Sequence, residues 1–101
     1  MRSAHVFQND FLAGVLMERE GGFLFTYDAN FKGEPVSLAM PQKRAEWEFT
    51  VFPPAFEGLL PEGARLEALL RRRKLDKGDL FGQLMAVGGD VVGSLSFKEV
   101  Q

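Results

Sequence analysis

The chain has 101 residues, 46% of them hydrophobic, with ten phenylalanines, no cysteine and a formal net charge of −2. That composition suits one folded domain over residues 1–101 with one modest core, and it argues against a disordered tail. Near-neutral charge gives the whole chain no bulk attraction to nucleic acid or anionic lipid. The lack of cysteine excludes disulfides, thiolate metal sites and a cysteine nucleophile.

From the start of the chain the period is two. Residues 4–7 are short and apolar, Gln8-Asn9-Asp10 is turn chemistry, and residues 11–18 are apolar on both faces, so the pair reads as a β-hairpin. No apolar run here is long enough for a signal peptide or a membrane span, and a cytoplasmic location is expected. Gly21-Gly22 breaks the chain before Phe23, Phe25 and Tyr27, which alternate with Leu24 and Thr26. Residues 28–33 read as a loop or a single helical turn. Val36, Leu38 and Met40 alternate again and predict a fourth strand, ended by Pro41. After the polar residues 42–46, Trp47, Phe49 and Val51 alternate with Glu46, Glu48 and Thr50 and predict a fifth.

At Phe52 the period changes to 3.6. Pro53 and Pro54 suit a first helical turn, where a missing N–H costs nothing. Phe52, Phe56, Leu59 and Leu60 fall on one helical face, which predicts a helix that runs to Pro61 and is buried against the sheet. A second helix is expected over residues 62–74, burying Leu66, Leu69 and Leu70, with Glu67 and Arg71 spaced for an ion pair. Asp79 is a plausible N-cap for a third, whose stripe is Leu80, Phe81, Leu84 and Met85. Gly88-Gly89 ends it, and Val91, Leu95 and Phe97 read as a last strand.

Little in this pattern carries chemistry. His5 is the only histidine and lies in the first strand, so no His pair or Cys–His set exists to hold a metal. The fourteen acidic residues show no spacing that would force two carboxyls to unequal affinities for a proton. Gly88-Gly89-Asp90 with Gly93 lacks the Gly-Lys-Ser/Thr of a phosphate loop and precedes a strand instead of opening a helix. No catalytic residue, cofactor site or metal site is expected. Two features remain. Arg71, Arg72, Arg73 and Lys74 form the one charge cluster, read either as a solvated helix end complementing the macrodipole or as a contact to phosphate or an acidic partner. Trp47, the only tryptophan, is read either as a strand residue in line with Phe49 and Val51 or as an exposed anchor for a partner.

Phe25-Thr26-Tyr27-Asp28, Ser37-Leu38-Ala39-Met40-Pro41, the stretch 52–63 with its Leu59-Leu60-Pro61-Glu62-Gly63, and Gly88-Gly89-Asp90-Val91-Val92-Gly93-Ser94 occur in this order and at these spacings. They resemble the N-terminal subdomain of HipA-type serine/threonine kinases, the toxins of HipBA toxin–antitoxin systems, over nearly all of residues 5–97. Three departures stand out. The family's usual Pro-Phe-Phe-Glu-Asn is Pro-Pro-Ala-Phe-Glu-Gly here, the second serine of Ser-Leu-Ser-Leu-Pro is Ala39, and the sequence stops at Gln101, where the nucleotide-binding and catalytic core of a HipA kinase would follow.

The resemblance implies an α+β domain in which a mostly antiparallel sheet carries about three helices on its apolar face. It implies a non-enzymatic, HipS-like antitoxin of a tripartite HipBST-type system that binds and inhibits a HipT/HipA-like kinase lacking this subdomain. A HipB-like helix-turn-helix protein would join the larger complex, with DNA touched only indirectly and no membrane involved. Trp47, Arg44, Glu46 and Glu48 are the expected kinase-binding residues, presented by a rigid pair of helices behind their strand. Two other readings stay open: a scaffold or co-repressor that bridges the kinase to HipB on its operator and uses Arg71 to Lys74 near phosphate, or a fragment of a full HipA kinase.

Overall fold

A computed structural model describes residues 1–89 and 93–100, and in it the first hairpin organises everything else. Strand β1 (Ser3–Gln8) turns through Asn9 and Asp10 into β2 (Phe11–Arg19). Both turn residues have positive φ, 49° and 71°, a conformation that asparagine and aspartate tolerate and that matches the twist of a two-residue hairpin. The register slips once: Val6 pairs with Gly14 and Phe7 with Leu12, leaving Ala13 as a bulge. The carbonyl of Ala13 accepts from the N–H of Asp28 at 2.7 Å, so the bulge anchors the chain as it leaves β3 (Gly22–Tyr27).

Strand β4 (Glu46–Phe49) pairs with β3, and the last strand, β5 (Leu95–Glu99), pairs with β1. The sheet is antiparallel throughout, in the order β4-β3-β2-β1-β5. Period-two alternation divides it into two faces. Ala4, Val6, Leu16, Phe25, Tyr27 and Phe97 point to one side and are buried. His5, Phe7, Val15, Met17, Leu24 and Thr26 point to the other, where Met17 is 42% exposed.

Three helices cover the first side. Helix α1 is Pro54–Glu57, α2 is Gly63–Arg73 and α3 is Leu80–Val87. Phe56 of α1 is fully buried, with its ring edge-on to Phe25 at 5.9 Å and to Phe97 at 5.2 Å. Phe81 and Leu84 of α3 complete the core, while α2 packs on α3 through the buried Leu69. Asp79 caps α3 as expected, its side chain accepting from the N–H of Gly82 at 3.0 Å.

Five expectations need correction. Residues 36–40 form no strand. Val36 and Met40 are buried but Leu38 is 96% exposed, and the backbone is held by a side chain: the Tyr27 hydroxyl accepts from the Val36 N–H at 3.1 Å and donates to the Met40 carbonyl. Strand β4 ends at Phe49, before Val51. The first helix stops at Glu57, not at Pro61, because after Gly58 the N–H groups of Leu59 and Leu60 reach back only three residues, to Phe56 and Glu57. Leu59 and Leu60 are therefore half-buried turn residues packed on the core, and Leu66 and Leu70 are likewise only half-buried. Finally, Glu67 and Arg71 are not among the three ion pairs of the described residues. Val91 and Val92, the expected start of the last strand, lie outside the described residues.

Candidate functional site: the open edge of β4

Strand β4 lies at the end of the sheet, with β3 on one side and, among the described residues, no strand on the other. Trp47 sits opposite Phe25 and Phe49 opposite Phe23, so both aromatic side chains lean toward the helix-bearing face. Trp47 is half-buried and packed on the core. Its indole N–H donates to the Arg44 carbonyl at 3.0 Å, and the Arg44 guanidinium lies over the ring, 4.9 Å from its centroid. Trp47 is thus a strand residue packed in line with Phe49, as one of the two sequence readings has it, and it keeps part of its surface open beside the arginine.

Glu46 and Glu48 alternate with Trp47 and point to the opposite, helix-free face. Both are exposed, and Arg19 pairs with Glu48 at 3.3 Å. The four residues singled out from the sequence thus do not share a face. They meet along the edge of β4, which is where a partner touching all four would have to lie.

At its C-terminal end β4 borders a groove of about 440 Å³ lined by Met40, Phe49, Val51, Pro53 and Pro54, among others. Val51 is 65% exposed there. The stiffness of the stretch 52–63 has its explanation at this point. Phe52 and Pro53 are buried, Phe52 edge-on to Phe23 at 5.2 Å, and Pro54 opens α1, so one wall of the groove is fixed to the core.

The basic cluster lies elsewhere. Arg71, Arg72 and Arg73 occupy the last turn of α2, and Lys74 follows in the left-handed conformation at φ 54°. All four are exposed, and Arg73 donates to the Ala86 carbonyl at 3.4 Å. This is the arrangement of cations completing a helix C-terminus.

One charged cluster gave no sequence signal. Arg2 donates to Glu18 at 2.7 and 2.9 Å and to Asp79 at 2.7 and 3.1 Å, and its guanidinium lies 4.9 Å from the centroid of Phe81. It fastens the first two strands to the start of α3. Gly82 permits this, since a Cβ there would meet Asp79 Oδ2 at 2.3 Å. The hydrogen bonds from Arg2 hold both carboxyls below the usual carboxylate range, and the two carboxylates raise the arginine. Carboxylates pinned in this way are poor proton acceptors, and the cluster clamps the start of the chain and β2 to the cap of α3. Among the described residues no three metal-ligating side chains come together, and no helix is long and apolar enough to cross a membrane.

The sequence profile of the HipA N-terminal domain matches residues 4–98. The chain belongs to the HipA N-terminal domain family. A solved structure described as the N-terminal domain of HipA toxin superposes with a TM-score of 0.80 at 25% identity, covering 100% of this chain and 94% of that one. An uncharacterized protein of Haemophilus influenzae is 29% identical over 99 residues, 98% of this chain and 93% of its own length. The five-stranded antiparallel sheet with three helices is thus the HipA N-terminal domain fold.

Proposed function

We propose that this HipA N-terminal domain acts in the cytoplasm as a non-catalytic antitoxin, binding and inhibiting a HipT/HipA-like serine/threonine kinase by direct contact. The observation that carries this reading is the β4 edge: a half-buried tryptophan under Arg44, with exposed Glu46 and Glu48 beside it, on a strand whose outer side has no partner strand among the described residues. A rigid presentation of this kind favours association, since little side-chain freedom remains to be lost. Docked beside the nucleotide cleft, the domain would hinder the lobe closure that phosphoryl transfer requires. A HipB-like helix-turn-helix protein would complete the complex and carry the contact with DNA. The test is to titrate a HipA-type kinase lacking its own N-terminal domain with this chain and follow autophosphorylation. One equivalent should abolish it; a kinase neither bound nor inhibited would overturn the proposal.

One observation favours a second reading, the co-repressor. Arg71, Arg72, Arg73 and Lys74 project together from one turn of helix and are all exposed. In that case they would lie near operator phosphate in the assembled complex.

A further inference from the structure

The N–H of Tyr27 donates to the carbonyl of Ala45 at 2.8 Å, and the register continues with Phe25 opposite Trp47 and Phe23 opposite Phe49. In an antiparallel pair the residues that bond to the neighbouring strand alternate with residues whose N–H and C=O point away. Residues 45, 47 and 49 bond toward β3, so the backbone groups of Glu46 and Glu48 point outward. Among the described residues nothing accepts from or donates to them on that side. An unpaired edge is a template for another strand, and its side chains decide which strand it accepts.

Those side chains argue against a second copy of this chain. Strand β4 added to itself pairs outward-facing residues with outward-facing residues, which sets Glu46 and Glu48 against the same glutamates of the other copy. Lysine or arginine at the facing positions turns the same two sites into attractive cross-strand pairs. On the helix-free face Arg19 pairs with Glu48, while Glu46 belongs to none of the ion pairs of the described residues and Arg44 is turned over Trp47, so the open charge on that face is a carboxylate. Alternate residues of an added strand would lean the other way, toward Trp47 and Phe49 and the groove of Met40, Val51, Pro53 and Pro54.

We propose that the edge of β4 accepts an extended segment of a partner protein as a sixth strand. That segment alternates basic residues, opposite Glu46 and Glu48, with apolar residues, one of them seated in the groove. This deepens the proposed function and rests on it for the identity of the partner, the kinase. It also explains why Trp47, Arg44, Glu46 and Glu48 belong to one surface although they occupy two faces: only a strand along the edge touches all four.

Residue-resolved amide hydrogen exchange on the whole chain tests this without the kinase. The probe is a capped heptapeptide alternating lysine and valine, compared with its glutamate–valine counterpart. The lysine peptide should slow exchange at Glu46 and Glu48 about tenfold or more, as a backbone bond to a fast-exchanging edge amide does. The glutamate peptide should not. The double variant Glu46→Lys with Glu48→Lys, both exposed and away from the core, should reverse that preference. No protection at these two amides, equal protection by both peptides, or protection at β5 instead would overturn the proposal. A kinase that is inhibited while both amides stay unprotected would overturn strand addition alone. Peptide protection without kinase binding would overturn the proposed function alone.

Discussion

Phe56 is the residue on which the fold depends most. It is fully buried and stands between Phe25 of the sheet centre and Phe97 of its edge. Phe56→Ala should destabilise the domain by about 3–5 kcal/mol, the usual cost of deleting a buried aromatic ring. That is a large share of the ~5–15 kcal/mol a small domain holds. Thermal or urea unfolding measures it; an unchanged midpoint would show that the ring is not in the core. Arg2 has a different signature. Glu18 and Asp79 are held below the usual carboxylate range by Arg2, so the folded state binds their protons less readily than the unfolded chain does. Their contribution is present above the ordinary carboxylate pKa and is lost as pH falls through the lowered folded-state values. Arg2→Met should therefore cost roughly 1–2 kcal/mol at neutral pH, allowing for the solvent exposure of the clamp. The cost should be smaller at about pH 3, below the ordinary carboxylate range, than at neutral pH, because the unfolded chain then binds protons that the clamped carboxyls resist. Urea midpoints of both proteins at the two pH values decide it, and a cost independent of pH would mean that Arg2 acts through packing on Phe81 alone.

The elements were legible where a local rule set them. The hairpin turn showed in Asn9-Asp10, the α3 cap in Asp79, and the amphipathic strands in alternation. They were illegible where a distant group set them. Val36, Leu38 and Met40 alternate, yet what shapes that segment is the hydroxyl of Tyr27 reaching across from β3, together with Gln8 of β1, whose amide donates to the carbonyls of Glu34 and Pro35 at 3.4 and 3.3 Å. No spacing announces such bonds. The helical stripe of Phe52, Phe56, Leu59 and Leu60 was read correctly as facing the core, but four residues of helix and a tighter turn suffice to deliver it. The basic cluster also belongs to this scale. If Arg71, Arg72, Arg73 and Lys74 only complete the end of α2, Arg72→Ala with Arg73→Ala should leave kinase inhibition and operator binding by the assembled complex unchanged. A clear loss of operator affinity with a shallower salt dependence would favour the co-repressor.

For the whole molecule, the sheet places its open β4 edge and its core on connected residues. Trp47 rests on the core at one side and faces solvent under Arg44 at the other, and Phe52 and Pro53 anchor the groove beside it. The sequence pointed to Trp47, Arg44, Glu46 and Glu48 through residue type and a family resemblance. It could not show that these residues straddle a strand edge, because which strand is terminal depends on pairings between segments far apart in the chain. The Arg2 clamp was hidden for the same reason, its two carboxylates lying 16 and 77 residues away.

Because Trp47 touches both the core and the edge, one comparison tests the central claim most directly. Wild type and Trp47→Ala are each titrated against a HipA-type kinase lacking its own N-terminal domain, with binding and autophosphorylation measured on samples shown by circular dichroism to be folded. Trp47→Ala should stay folded while its affinity falls by ~2–4 kcal/mol, the loss typical of truncating an interface hot spot, with inhibition weakened in proportion. A folded Trp47→Ala that binds and inhibits the kinase as tightly as wild type would contradict the claim.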